Sequence, residues 1–215
     1  MKSLSESART MIEELILSGE LVAGTKVTER DLAERLDMSR VPVREAIKDL
    51  LRVGLLGRVG TRGVIVRKLD TDEIREIYAI RMILEARAAR LASERITQQS
   101  LQTLQQLHQD MREAFKEDDY SSYYELNLKF HKEIHLAAHT PRLIKFIDMV
   151  MKESLLLRSR GLVDRENLEI SLAEHQNLLD ALIDRDAELA EIYMRRHIHR
   201  GLKRLHLDDE NDELM

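Results

Sequence analysis

The chain has 215 residues, with 34 Lys+Arg against 39 Asp+Glu and a formal net charge of −5. Its 43% hydrophobic content suffices for a packed core, and the absence of Cys excludes a disulfide scaffold, a thiolate zinc site and a cysteine nucleophile. Eight Gly and two Pro are too few for the turns of a β-sandwich or barrel, so composition points to a mainly helical protein of one or two domains.

No apolar run reaches the roughly 18 residues of a membrane span, and Met1–Glu6 has no apolar signal core. A cytoplasmic protein with no membrane partner is the expectation. Charge is unevenly spread. Residues 1–68 hold 13 basic and 10 acidic groups, whereas residues 69–215 hold 21 and 29. Within the first part, residues 38–68 hold 8 basic groups and 2 acidic ones. A basic module is joined to an acidic one, a division that the overall charge hides.

The first segment, 5–18, reads as an amphipathic helix with Ala8, Met11, Ile12, Leu15 and Ile16 on one face and Gly19 as its stop. Residues 21–25 read as a turn. Thr28 starts a short helix with Leu32, Ala33 and Leu36 inward, and Asp31 stands in the position of a capping box. Ser39 caps a third helix, Arg40 to about Val53, with Val43, Ile47, Leu50 and Leu51 inward and Pro42 harmless in its first turn. Residues 55–59 and 64–67 flank Gly60-Thr61-Arg62-Gly63, the pattern of a β-hairpin. A boundary near 67–71 follows. Six helices are then expected, over about 71–94, 98–117, 119–139, 141–161, 166–184 and 186–206, with Gly161 and Asp184 as breaks. The organisation is thus 1–68, 69–207 and an acidic tail at 208–215, where residues 208–213 carry five acids.

Three short helices and a hairpin make a winged helix-turn-helix. Its third helix suits a major groove, with base edges read from the helix and phosphates touched by its neighbours. Arg40, Arg44 and Lys48 share one helix face, Arg30 starts the helix before it, and Arg62 sits at the hairpin tip. The candidate DNA contacts are Arg30, Ser39, Arg40, Arg44 and Lys48, with Thr61, Arg62 and Gly63 on the wing. Residues 19–33, the stretch Leu36–Ile47 with Ser39-Arg40 and Pro42-Val43-Arg44-Glu45-Ala46, Gly54-Leu55 and Arg62-Gly63 together resemble the DNA-binding domain of GntR-family transcription regulators. The resemblance covers about residues 5–68. It implies that Arg30, Arg40 and Arg44 contact operator DNA and that the wing tip lies in or beside the minor groove. Ala23 departs from the usual Pro before Gly, at some cost in turn rigidity.

Eight His punctuate the chain, all of them in its second part. Asn127 and His131 are one helical turn apart, His175 lies on the fifth helix and His197 on the sixth. Three imidazoles from three helices suit a divalent metal. His135 and His139 continue the same stripe, so spacing alone does not choose among them, and His108, His199 and His206 are expected at the surface. Residues 71–207 resemble the FadR C-terminal (FCD) effector domain of the FadR-type GntR branch. The likeness rests on Tyr78–Glu85, on Asn127-Leu128-Lys129-Phe130-His131, and on Glu174-His175 with His197. Six helices rather than seven resembles the VanR subgroup.

That resemblance implies a divalent metal held by Asn127, His131, His175 and His197, with a small carboxylate effector completing its shell. Zn²⁺ or Ni²⁺ suits three imidazoles. The family commonly has Asp where Asn127 stands, so the site carries one negative charge fewer. Arg81 can hold the acid bidentately or pair with Glu85 on its own helix. The function implied is a ligand-responsive regulator, a repressor by expectation. It acts as a homodimer on a near-palindromic operator, with Ile77, Ile80, Ile83 and Leu84 of the first bundle helix offering an interface. The competing reading is a His-rich helical metalloenzyme with an accessory DNA-binding-like domain. It lacks a general base, because Glu174, next to His175, is expected to face elsewhere.

Overall fold

The computed structural model describes residues 3–61, 63–157, 165–205 and 207. Arg62, Gly161, His206 and the tail 208–215 lie outside the described residues. The chain forms two compact units, one of Met1–Glu73 with Met151–Ser159, the other of Ile74–Val150 with Arg160–Met215.

In the first unit, α1 (Leu4–Leu17) opens on a capping box. Ser3 Oγ accepts from the Glu6 N–H at 3.2 Å, and Glu6 Oε2 accepts from the Ser3 N–H at 2.8 Å. Ala8, Ile12 and Ile16 recur every four residues and are buried. The helix stops at Ser18, after which Gly19 adopts a φ of 79°, in the region that favours glycine. Helix α2 (Glu29–Arg35) starts as its sequence implies, with Thr28 Oγ1 accepting from the Asp31 N–H at 3.1 Å. Helix α3 (Arg40–Arg52) packs against both α1 and α2. Its inward residues Val43, Ala46, Ile47 and Leu50 join Ile12, Leu32, Leu55 and Val66 in one core.

The wing is a three-stranded antiparallel sheet in the order β1 (Lys26–Val27), β3 (Gly63–Val66), β2 (Leu56–Val59). Strand β1 was not expected. Two residues are too few to show a period of two, and only pairing with Val64 and Ile65 makes them a strand. Val59 lies opposite Gly63, where an added Cβ would meet the Val59 carbonyl oxygen at 2.5 Å, so the tight hairpin requires glycine there.

Among the described residues, the second unit contains the six helices α4 (Thr71–Arg95), α5 (Gln98–Lys116), α6 (Tyr120–Ala137), α7 (Pro141–Ser154), α8 (Arg165–Ile183) and α9 (Ala187–Lys203), apart from the ends of α4 and α7 that fall in the first. Thr97, Asp119 and Asp186 cap α5, α6 and α9 through side-chain oxygens. The expected helix over 141–161 stops early. A 3-10 turn, Leu155–Leu157, follows α7, and Leu156 packs against the core of the first unit. Three consecutive leucines favour continuing a helix, so packing and not propensity sets this stop. Helices α5, α6, α8 and α9 pack in neighbouring pairs around Leu104, Met111, Tyr123, Phe130 and Ile134, each fully buried.

His108 corrects an expectation. It is buried, and its Nε2 lies 3.2 Å from the Leu172 carbonyl oxygen, so it ties α5 to α8. Burial pushes its pKa below the usual value. A His whose folded pKa is depressed contributes stability above its unfolded pKa of about 6.5, and that contribution is lost as pH falls below it. We expect the wild type to lose more stability than His108→Gln between pH 7 and 5, read by denaturant titration at each pH. An identical pH slope in both proteins would contradict this.

Candidate functional site

The first unit presents a basic face. Arg40, Arg44 and Lys48 are exposed on α3 opposite its buried face, and Arg30 is exposed in the first turn of α2. Ser39 occupies the N-cap with extended backbone, φ −70° and ψ 158°, yet its side chain makes no capping bond. The expectation of a serine cap is corrected in that respect. Ser39 thus leaves the first α3 N–H groups without its side chain as acceptor, an arrangement that suits contact with an anion. Lys48 Nζ donates to Glu45 at 2.8 Å. Arg44 Nε donates to both carboxylate oxygens of Glu29, at 2.9 and 3.0 Å. On the wing, Thr61 is exposed beside Gly60, whose φ is 59°, and Gly63 closes the turn. Glu29 escaped the sequence reading, because a separation of 15 residues obeys no helix or strand spacing.

The second unit gathers histidines in its core. His131 on α6, His175 on α8 and His197 on α9 are all buried. Nε2 of His131 lies 3.1 Å from Nε2 of His197 and 3.3 Å from Nε2 of His175. One turn before His131, the Asn127 Oδ1 is buried and, among the described residues, has no hydrogen-bond partner, and the same holds for His175 Nδ1. Burial pushes the His131 pKa down to about 4 and holds His175 and His197 below the usual value, so all three rings are neutral at pH 7.

Two carboxylates flank this cluster. Glu174 Oε2 lies 2.7 Å from His197 Nδ1, which places the ring proton on Nδ1 and a lone pair on Nε2. Glu174 also accepts from Arg200 at 2.9 Å and from Arg204 at 3.2 Å. Burial alone would raise its carboxyl pKa; His197, Arg200 and Arg204 outweigh burial and hold it down to about 2. The expectation that Glu174 faces elsewhere is thereby corrected. Helix α9 packs along α8, so the residue next to His175 meets α9. On the other side, Glu85 of α4 is fully buried. Its Oε1 accepts from Arg81 Nε at 2.7 Å, and its Oε2 lies 3.0 Å from His135 Nε2. His131 Nδ1 lies 3.3 Å from the same oxygen, without an aligned hydrogen bond. Burial would raise the Glu85 pKa, but Arg81 and the two histidines hold it well below the usual value. The Arg81 side chain is only 11% exposed, and of the two partners open to it in the sequence its charge here faces Glu85. His139 and His199 are exposed.

The cluster fits a cation. With the ring protons on Nδ1, the Nε2 lone pairs of neutral imidazoles repel one another at 3.1–3.3 Å, and a cation among them relieves that repulsion. Ligand bonds of about 2.0–2.1 Å in tetrahedral geometry set nitrogens about 3.3 Å apart. The Asn127 carbonyl oxygen, one turn before His131 on α6, is an oxygen donor of a type that a divalent ion accepts. His131, His175 and His197 form one group able to hold a metal ion, and Glu85, His131 and His135 a second. In the second group, hydrogen bonds already account for the carboxylate, which makes it a support for the first. A carboxyl held at a pKa of about 2 is a poor general base at neutral pH, so Glu174 does not supply what a hydrolase would need.

No helix among the described residues is long and apolar enough to cross a membrane. Residues 4–66 match the gntR family of bacterial regulatory proteins, and residues 76–200 match the FCD domain. A probable D-xylose utilization operon transcriptional repressor of Paenarthrobacter nicotinovorans is 29% identical over 91% of this chain and 86% of its own. The HTH-type transcriptional repressor RspR of Escherichia coli is 29% identical over 83% of this chain and 78% of its own. The solved structure of McbR/YncC from E. coli is 26% identical, with a TM-score of 0.87 over 97% of this chain and all of that one. With a basic winged helix-turn-helix and a helical histidine-bearing unit in one chain, the protein belongs to the GntR family of bacterial regulatory proteins, in its FCD-domain branch, and is a DNA-binding transcriptional regulator.

Proposed function

We propose that the protein is a repressor whose operator affinity answers to a small carboxylate bound at a divalent metal in the helical unit. The observation that carries this reading is the convergence of three neutral Nε2 groups, two of them 3.1 Å apart, with the buried Asn127 oxygen one turn before His131. His131, His175, His197 and Asn127 would hold the metal, with Zn²⁺ or Ni²⁺ suited to three imidazoles. The metal, when bound, supplies a Lewis-acid contact for a carboxylate. Glu174 fixes the His197 ring, and Arg200 and Arg204 offset its charge. Arg81 serves the acid through Glu85, whose charge it holds, so an acid reaching Arg81 directly must displace Glu85.

Operator contact is assigned to Arg30, Ser39, Arg40, Arg44 and Lys48, with Thr61, Arg62 and Gly63 on the wing. Two-fold pairing would match these contacts to a near-palindromic operator. Ile80 and Ile83 support a homodimer, being 45% and 66% exposed on α4, whereas Ile77 belongs to the core. Six helices α4–α9 support placement in the VanR-like subgroup. Native mass spectrometry tests the assignment. We expect a dimer carrying one divalent ion per chain that disappears in His175→Ala; a monomer, or a wild type that takes up no metal, would contradict it.

A further inference from the structure

We propose that Glu29 is a specificity-determining residue of the DNA-binding face, holding Arg44 through Nε so that the two terminal nitrogens are offered together to a base edge. The inference rests on the reading of Arg44 as a base contact.

Glu29 opens α2 and Arg44 lies in the second turn of α3, so only the packing of α2 on α3 brings them together. Both carboxylate oxygens of Glu29 are engaged by the one Nε, at 2.9 and 3.0 Å. Among the described residues, the terminal nitrogens of Arg44 have no hydrogen-bond partner. Reading guanine takes two parallel N–H groups, one to O6 and one to N7. With Nε committed to Glu29, the pair of terminal nitrogens is the fork that remains. The Arg44 side chain is 49% exposed and would otherwise sample many rotamers; a fixed fork has less freedom to lose on binding.

Glu29 also supplies the negative half of discrimination. Arg44 first, then Arg40 and Lys48, hold its pKa below the usual carboxylate value, so it is an anion at neutral pH. An anion beside Arg44 repels phosphate and disfavours use of that arginine as a general backbone grip. The pair is exposed, with Glu29 38% accessible, and contributes little to folding.

The test selects binding sites from a randomised duplex library with wild type, Glu29→Gln, Arg44→Ala and the double variant. The selected duplex and a scrambled duplex are then titrated with each protein. Arg44→Ala is expected to lose base preference at one position of each half-site. Glu29→Gln should relax that same position and lower the selected-to-scrambled affinity ratio at least about fivefold. Its binding should also become more salt-dependent, by about one unit of slope. In the Arg44→Ala background, Glu29→Gln should relax no further position. Thermal melting should be unchanged, which separates specificity from folding. Full preference retained by Glu29→Gln while Arg44→Ala loses it would overturn the proposal alone. Equal loss from Glu29→Gln with and without Arg44 would also overturn it, because Glu29 would then act independently. Preference untouched in Arg44→Ala would overturn the base-contact reading and the proposal with it.

Discussion

Stripping the metal with a chelator is expected to lower the melting temperature on the order of 10 °C. A ligand present at a thousandfold its Kd and bound only by the folded state stabilises by about 4 kcal/mol. For a protein of this size, each kcal/mol is worth about 2–4 °C. The apo cluster gives a physical reason for the loss, since three buried neutral imidazoles then face one another with no charge among them. Readdition of Zn²⁺ or Ni²⁺ should restore the wild type and leave His175→Ala unmoved. Asn127→Asp should bind the ion more tightly, because it returns the negative charge that the neutral amide lacks. Equal melting temperatures for chelated and metal-loaded wild type would contradict the site.

Arg44→Ala is expected to weaken binding of a selected operator by about 1–3 kcal/mol, the range of one bidentate base contact. Its effect on scrambled DNA should be smaller. Lys48→Ala should behave differently. Its ammonium already pairs with Glu45 on the same helix, and it suits a phosphate contact, whose loss weakens all sequences alike and flattens the salt dependence. Filter binding across a salt series with both duplexes separates the two roles. Equal losses on operator and scrambled DNA would move Arg44 to the phosphate class.

Much of the fold was legible because its signals are local. Thr28, Thr97 and Asp186 cap their helices through their own side chains, a signal that lies within one turn of the chain. Apolar residues at helical spacing located α1 through α6 within a few residues. What sequence alone did not reveal depends on partners distant along the chain. Strand β1 exists only through β3, and α7 stops where Leu156 meets another core. The histidine cluster divides in the same way. Asn127, His131, His175 and His197 were legible through their family pattern and the Arg81–Glu85 pair through its spacing, whereas the contacts of Glu85 with His135 and of Glu174 with His197 were not. A buried carboxylate is unfavourable by itself, so its location follows from the Arg and His groups packed around it. His108 was misplaced for a related reason, since an imidazole with a carbonyl to meet is as much at home inside as out.

The proposed switch has a physical route in the chain itself. The histidine-bearing helices α6 and α8 are joined through α7 and the turn Leu155–Leu157, and Met151–Ser159 belongs to the DNA-binding unit. An acid held at the cluster biases whichever bundle packing binds it better, and operator affinity must shift by the same coupling energy. The most direct measurement is operator titration of metal-loaded wild type and His175→Ala, each with and without a panel of small carboxylates. The account predicts that one acid shifts wild-type affinity by about 5–150-fold. It predicts that His175→Ala binds the operator at close to the acid-free wild-type affinity and ignores the acid. An equal shift in His175→Ala, or no shift in metal-loaded wild type across the panel, would contradict it.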